Sequence, residues 1–135
     1  MILLDTHVLI WFFEGTEELR PEARDVIESF GRTDEVFASV ITFWELGILA
    51  AKNRIRLSEP ITEWTKEVIG WPGLSVAALT PSIAVESSFL PQGIHADPAD
   101  RVLIATARSL DATLVTHDAR ILRYGEQGHV KVMAA

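Results

Sequence analysis

Cysteine is absent from the 135 residues, and its absence removes disulfide cross-links, thiolate-held zinc and thiol nucleophiles together. Any metal would have to rest on oxygen or imidazole. Long apolar runs are also missing. Although 48% of the chain is hydrophobic, nothing approaches the ~18 consecutive apolar residues of a membrane-spanning helix. Met1 to Thr6 carry no basic flank and are interrupted by Asp5, unlike a secretory leader, so a soluble cytoplasmic protein with no membrane association is expected. Basic residues are scarce, with 12 Lys and Arg against 19 Asp and Glu and a net charge of −7. That balance argues against a protein that grips nucleic acid over its whole surface, because phosphate binding needs neutralising cations. It leaves open a nuclease that works through divalent cations, since such a site concentrates carboxylates. Repeats and low-complexity tracts are lacking, and the length suits one domain over residues 1–135.

What is present alternates. The apolar run Ile2-Leu3-Leu4 ends at Asp5-Thr6, as in a strand buried on both faces of a parallel sheet. Helical patterns follow from Val8 to Glu14 and from Pro21 to Phe30, with Gly31 as the stop. Val36 to Val40 reads as a second strand. From Thr42 to about Asn53 the pattern is helical, with Thr42 as N-cap and Glu45 at capping-box spacing. A helix from Pro60 to about Gly70, a strand from Leu74 to Leu79 and a helix starting near Pro81 come next. Asp97-Pro98 is a strong helix start, with Asp as N-cap and Pro at the first turn, and this helix runs to about Leu110. Thr113 to Thr116 reads as a strand, Asp118 to Tyr124 as a short helix and His129 to Met133 as a last strand. Alternation of this kind predicts an α/β three-layer sandwich around a mostly parallel sheet, whose ligands bind beyond the carboxyl ends of the strands. Asp5 and Asp118 fall there.

Two further carboxylates occupy positions that favour apolar side chains. Glu45 has Ile41, Ile48 and Leu49 as helical neighbours, and Asp100 has Leu103, Ile104 and Ala107. Burying an unpaired carboxylate is costly, and gathering several is worse unless a cation joins them. Mg2+, with Mn2+ as a substitute, resolves the conflict: it takes oxygen ligands from separate elements and keeps several waters. Such an ion activates water and stabilises charge on phosphoryl oxygens, which makes phosphodiester hydrolysis the natural reaction class. Each acid taken alone also has a structural reading. Asp100 and Glu45 could complete helix caps, and Asp118 could be an N-cap; Asp97 is assigned to structure, as N-cap and as the i,i+4 partner of Arg101. Asp5, closing a buried strand, has few structural uses. His7, His95 and His117 read as packing or supporting residues rather than ligands, and the four tryptophans as core or partner-contact residues. Lys52, Arg54 and Arg56 form a basic cluster that serves either an anionic partner or the helix terminus before it.

Four segments carry a family resemblance: Leu3 to His7, Ser39 to Glu45, Leu90-Pro91 with His95 to Ala107, and Leu114 to Asp118. In order and spacing they resemble VapC-type PIN-domain toxins over nearly the whole chain. The resemblance implies a single PIN domain that acts as a Mg2+-dependent endoribonuclease, the toxin of a type II toxin–antitoxin pair. Carried over by position, the acidic metal set is Asp5, Glu45, Asp100 and Asp118, with Thr6 and Thr116 beside it to orient a carboxylate or a water. It further implies an RNA substrate cleaved by water to leave a 5′-phosphate, a homodimer, and a small VapB-like antitoxin whose tail covers the site. Two alternatives stand beside this reading: a non-catalytic partner-binding scaffold, and a metal-dependent phosphohydrolase of small phosphoesters.

Overall fold

The structure, a computed structural model, describes residues 1–135. Its centre is a sheet of five strands, β1 (Ile2–Leu4), β2 (Val36–Ser39), β3 (Leu74–Ala77), β4 (Thr113–Thr116) and β5 (Val132–Ala134), in the order β3-β2-β1-β4-β5. All four pairings are parallel. A parallel neighbour can be reached only by a crossover, and the helices supply these. The path from β1 to β2 uses α1 (Thr6–Glu14) and α2 (Pro21–Gly31), and that from β2 to β3 uses α3 (Val40–Ala51) and α4 (Ile61–Ile69). The path from β3 to β4 uses α5 (Pro81–Glu86) and α6 (Pro98–Leu110), and α7 (Ala119–Glu126) leads to β5. No helix is long and apolar enough to cross a membrane.

Strand β1 shows why the sheet is sandwiched. Ile2, Leu3 and Leu4 are 0–2% exposed, and alternation sends them to opposite faces. Ile2 and Leu4 join Val8, Leu9, Ile27, Leu46 and Trp64 in one core under α1 to α4. Leu3 joins Leu103, Ile104, Leu114 and Ile121 in a second core under α6 and α7. The register Leu3↔Phe37 and Leu3↔Leu114 keeps these side chains on one face. The chain grows outward from β1 through β2 to β3 on one side, then returns to lay β4 and β5 on the other. The gap between β1 and β4, beyond their carboxyl ends, is therefore the topological switch point where α/β sheets bind ligands.

Several element ends differ from the sequence reading. Helix α3 begins at Val40, with Ser39 as its cap accepting from the Ile41 N–H at 3.1 Å. Thr42 lies inside the helix, fully buried, so Glu45 belongs to no capping box. The run Val36 to Val40 suggested a longer strand, but the seryl cap stops it one residue earlier. Strand β3 ends at Ala77 rather than Leu79, and β5 starts at Val132 rather than His129. The shift of β5 follows from α7 continuing to Glu126 and from Gly125 sitting so close to Val132 that no Cβ would fit between them. Gly73 (φ +99°) makes a similar approach at the start of β3, packed on the backbone of Gly31.

Candidate metal centre

Asp5 follows the central strand and caps α1, its Oδ1 accepting from the Thr6 N–H at 2.6 Å. Its Oδ2 accepts from the Thr116 hydroxyl at 2.6 Å, and the same hydroxyl oxygen accepts from the Asp118 N–H at 3.0 Å. One buried threonine on β4 thus holds two acidic segments in register across the switch point. The Thr6 hydroxyl does not reach an acid; it donates to the buried Thr42 hydroxyl on α3 at 3.3 Å. That contact ties α1 to α3, one turn before Glu45.

Asp118 caps α7, as its position after a strand suggested, with Oδ1 accepting from the Arg120 and Ile121 N–H groups at 2.8 and 3.3 Å. Its Oδ2 meets the Arg120 guanidinium at 3.3 Å. Burial works to raise the Asp118 pKa, but Arg120 and these backbone donors outweigh it, and the net shift is downward. Asp97 caps α6 by accepting from the Asp100 N–H at 3.1 Å. Its expected pairing with Arg101 does not form, because that guanidinium donates to the carbonyls of Ser87 and His95 at 2.9 and 3.3 Å.

Asp100 sits at the start of α6 above Leu103 and Ile104, and its Oδ2 lies 2.6 Å from His95 Nε2. Its carboxyl is pushed up to about 6 by burial, with the charges of Asp5 and Asp97 adding to the effect and the His95 hydrogen bond opposing it. The other nitrogen of His95, Nδ1, is buried without a partner.

These side chains meet. Asp5, Glu45, Asp97, Asp100 and Asp118, with His7 and His117, line one cavity of about 170 Å3 that contains no hydrophobic residue. Two of these acids, Asp100 and Asp118, also group with His95, which lies beside the cavity, and the donor atoms of the three lie within 4.8 Å of one another. Asp5 and Glu45 face the same space but stand outside that trio. A cavity walled by carboxylates, one of them desolvated and repelled by its neighbours, fits a hard divalent cation. Two features were not assigned to the site from sequence: Asp97 as part of its wall, and the direct contact of His95 with Asp100. The i,i+3 spacing of Asp97 and Asp100 was a usable sign for the first, whereas His95 comes from an irregular segment without periodicity.

The chain matches the PIN domain over residues 2–127. It is 34% identical over 120 residues to ribonuclease VapC22 of Mycobacterium tuberculosis, covering 89% of this chain and 88% of that protein. Among solved structures it is similar to the Rickettsia felis VapBC2 complex bound to a promoter DNA fragment (TM-score 0.71, 14% identity, covering 99% of this chain and 98% of that one). It is also similar to a toxin–antitoxin complex from Klebsiella pneumoniae (TM-score 0.61, 24% identity, covering 87% of each chain).

Proposed function

The chain belongs to the PIN-domain family, and from that premise we propose that it is a Mg2+-dependent endoribonuclease, the VapC-like toxin of a type II toxin–antitoxin pair. The observation that carries the reading is the convergence of Asp5, Glu45, Asp100 and Asp118 on one wholly polar cavity, from positions spread over most of the chain. Glu45 and Asp100, Asp118 and Asp5 would hold the ion, which when bound supplies positive charge for the phosphoryl oxygens and a more acidic water. Mn2+, which like Mg2+ takes carboxylate and water oxygens, substitutes for it.

The chain's own groups do the rest. Thr116 orients Asp5 and the backbone before α7 through its two hydrogen bonds. His95 stands within hydrogen-bond reach of Asp100 and can hold that carboxyl in orientation. Arg120, exposed and paired with Asp118 at 3.3 Å, would have to leave that ion pair to meet a phosphate that enters the cavity. Similarity to a protein named as a ribonuclease supports RNA as the substrate. Likeness to complexes of toxin with antitoxin agrees with a small VapB-like partner, whose tail would cover the acidic cavity. A homodimer in the cytoplasm completes the proposal.

The test is cleavage of RNA by the purified chain with Mg2+, with EDTA, and after Glu45→Gln. Glu45 makes no hydrogen bond that the fold would miss, so the variant should fold normally and lose cleavage. Cleavage that persists in EDTA, or undiminished in the variant, overturns the reading. Hydrolysis of nucleotide monoesters in place of RNA would favour the small-phosphoester enzyme, and an absence of any Mg2+ or Mn2+ stabilisation would favour a non-catalytic scaffold.

A further inference from the structure

A second depression, of about 650 Å3, adjoins the acidic cavity, and His7 lines both. The two meet at this residue and together make a trough divided by a low wall. The acidic cavity holds the carboxylates, and the second depression is lined by Arg54 and Arg56, from the segment after α3. Between them stands an aromatic ridge. The rings of His7 and His117 lie edge to face at 5.4 Å, and Trp11 packs against His117 at 4.6 Å between centroids. Both histidines are exposed, and the half-buried Trp11 backs them.

Arg54 and Arg56 are exposed and take part in no ion pair, so their charge is uncommitted. Of the two acids in the same wall, Glu14 is occupied by Ser58, whose N–H and hydroxyl donate to it at 2.5 and 2.9 Å. Those bonds fix Glu14 without cancelling its charge, so Glu14 and Glu18 both stand in the wall opposite the two arginines. The arrangement meets a specific need. A centre built from carboxylates repels a polyanion, and a chain of net charge −7 offers little general attraction, so the substrate must be held by local cations and by stacking. Uncommitted guanidinium groups beside exposed flat rings are the combination that binds single-stranded nucleic acid. His7 and Trp11 are one helical turn apart, ~6 Å along α1, which is about the advance of one nucleotide in an extended strand.

We propose that this trough carries the single-stranded RNA next to the scissile bond, with a base stacked on His7 and His117 and the following phosphates on Arg54 and Arg56. The inference rests on the ribonuclease reading and adds to it the path of the substrate.

The experiment measures binding of a fluorescein-labelled, unstructured RNA of about ten nucleotides by anisotropy over a range of salt, in a Glu45→Gln background so that the probe survives. Arg54→Gln with Arg56→Gln should weaken binding roughly tenfold and lower the salt slope by ~1.4, the share of two phosphate contacts to a single strand. His7→Ala should weaken binding by a similar factor with the slope unchanged, because stacking releases no counterions. Arg32→Gln with Lys131→Gln makes the same charge change near the amino ends of the strands and should leave affinity within about twofold. Unaltered affinity and slope in the Arg54/Arg56 variant, while the parent chain cleaves RNA, overturn the trough but not the nuclease. A parent chain that neither binds nor cleaves RNA overturns both. Unaltered RNA binding with lost antitoxin binding assigns the trough to the protein partner and also overturns the proposal.

Discussion

Replacing Asp100 by asparagine should stabilise the metal-free protein and abolish its response to Mg2+. Its carboxyl is raised from the ordinary 3.8 to about 6. At ~1.36 kcal/mol for each tenfold change in acidity, that displacement corresponds to ~3 kcal/mol against the ionised form. The side chain is 15% exposed at the mouth of a cavity, and screening by water lowers the figure to about 1–2 kcal/mol. The folded state holds the proton more tightly than the unfolded chain does. Between pH 3.8 and about 6 it therefore binds more protons, and stability falls as pH rises through that window and stays low above it. Asparagine keeps the size of the side chain, can still donate to His95 Nε2, and carries no charge to repel Asp5 and Asp97. Thermal unfolding in EDTA at pH 7 should place Asp100→Asn roughly 4–7 °C above the parent, the shift that 1–2 kcal/mol produces in a domain of this size. Near pH 4 the difference should shrink toward nothing. With Mg2+ at a hundred times its Kd the parent should gain ~2.7 kcal/mol and the variant should gain little. A variant less stable than the parent at pH 7 in EDTA, or one equally stabilised by Mg2+, would refute the account of Asp100 as a strained carboxylate awaiting a cation.

Thr116→Val keeps the shape but removes the hydroxyl that serves Asp5 and the Asp118 N–H; chemical denaturation should show a loss of about 1–3 kcal/mol, with weaker Mg2+ binding by titration calorimetry. Leu3→Ala, at a position fully buried in the second core, should cost about 2–5 kcal/mol in the same assay, and a loss below ~1 kcal/mol would mean that the strand is not sandwiched. Gly73→Ala meets both a positive φ and the Gly31 backbone, so it should destabilise by more than the ~1 kcal/mol of an ordinary glycine replacement; an unchanged unfolding midpoint would contradict that close approach.

Much of the architecture was readable because it rests on local rules. Ile2 to Leu4 announced a strand buried on both faces, and Asp97-Pro98 announced the start of α6 in the place where the structure has it. The ends of α3 and β5 were less readable. Val36 to Val40 begins and ends on a β-branched valine and reads as one strand, yet the Ser39 side chain finds the Ile41 N–H and turns the chain into a helix. Strand β5 pairs only with β4, by Leu114↔Val132, so its position depends on how α7 packs, a contact made through Gly125. The misplaced partner of Arg101 has a similar cause: tertiary folding brings the carbonyls of Ser87 and His95 to its guanidinium, while Asp97 turns to cap its own helix.

By itself the sequence determined the alternation of strands and helices, the absence of thiol chemistry, and the presence of carboxylates where apolar side chains would be expected. These depend on periodicity and residue type, which act over one or two helical turns. Only the tertiary structure decided which of the 19 acids share a cavity, that His95 reaches Asp100, and that a single threonine joins Asp5 to the start of α7. Coordination and charge repulsion depend on distance through space, and the order in which the sheet's strands are laid down sets that distance.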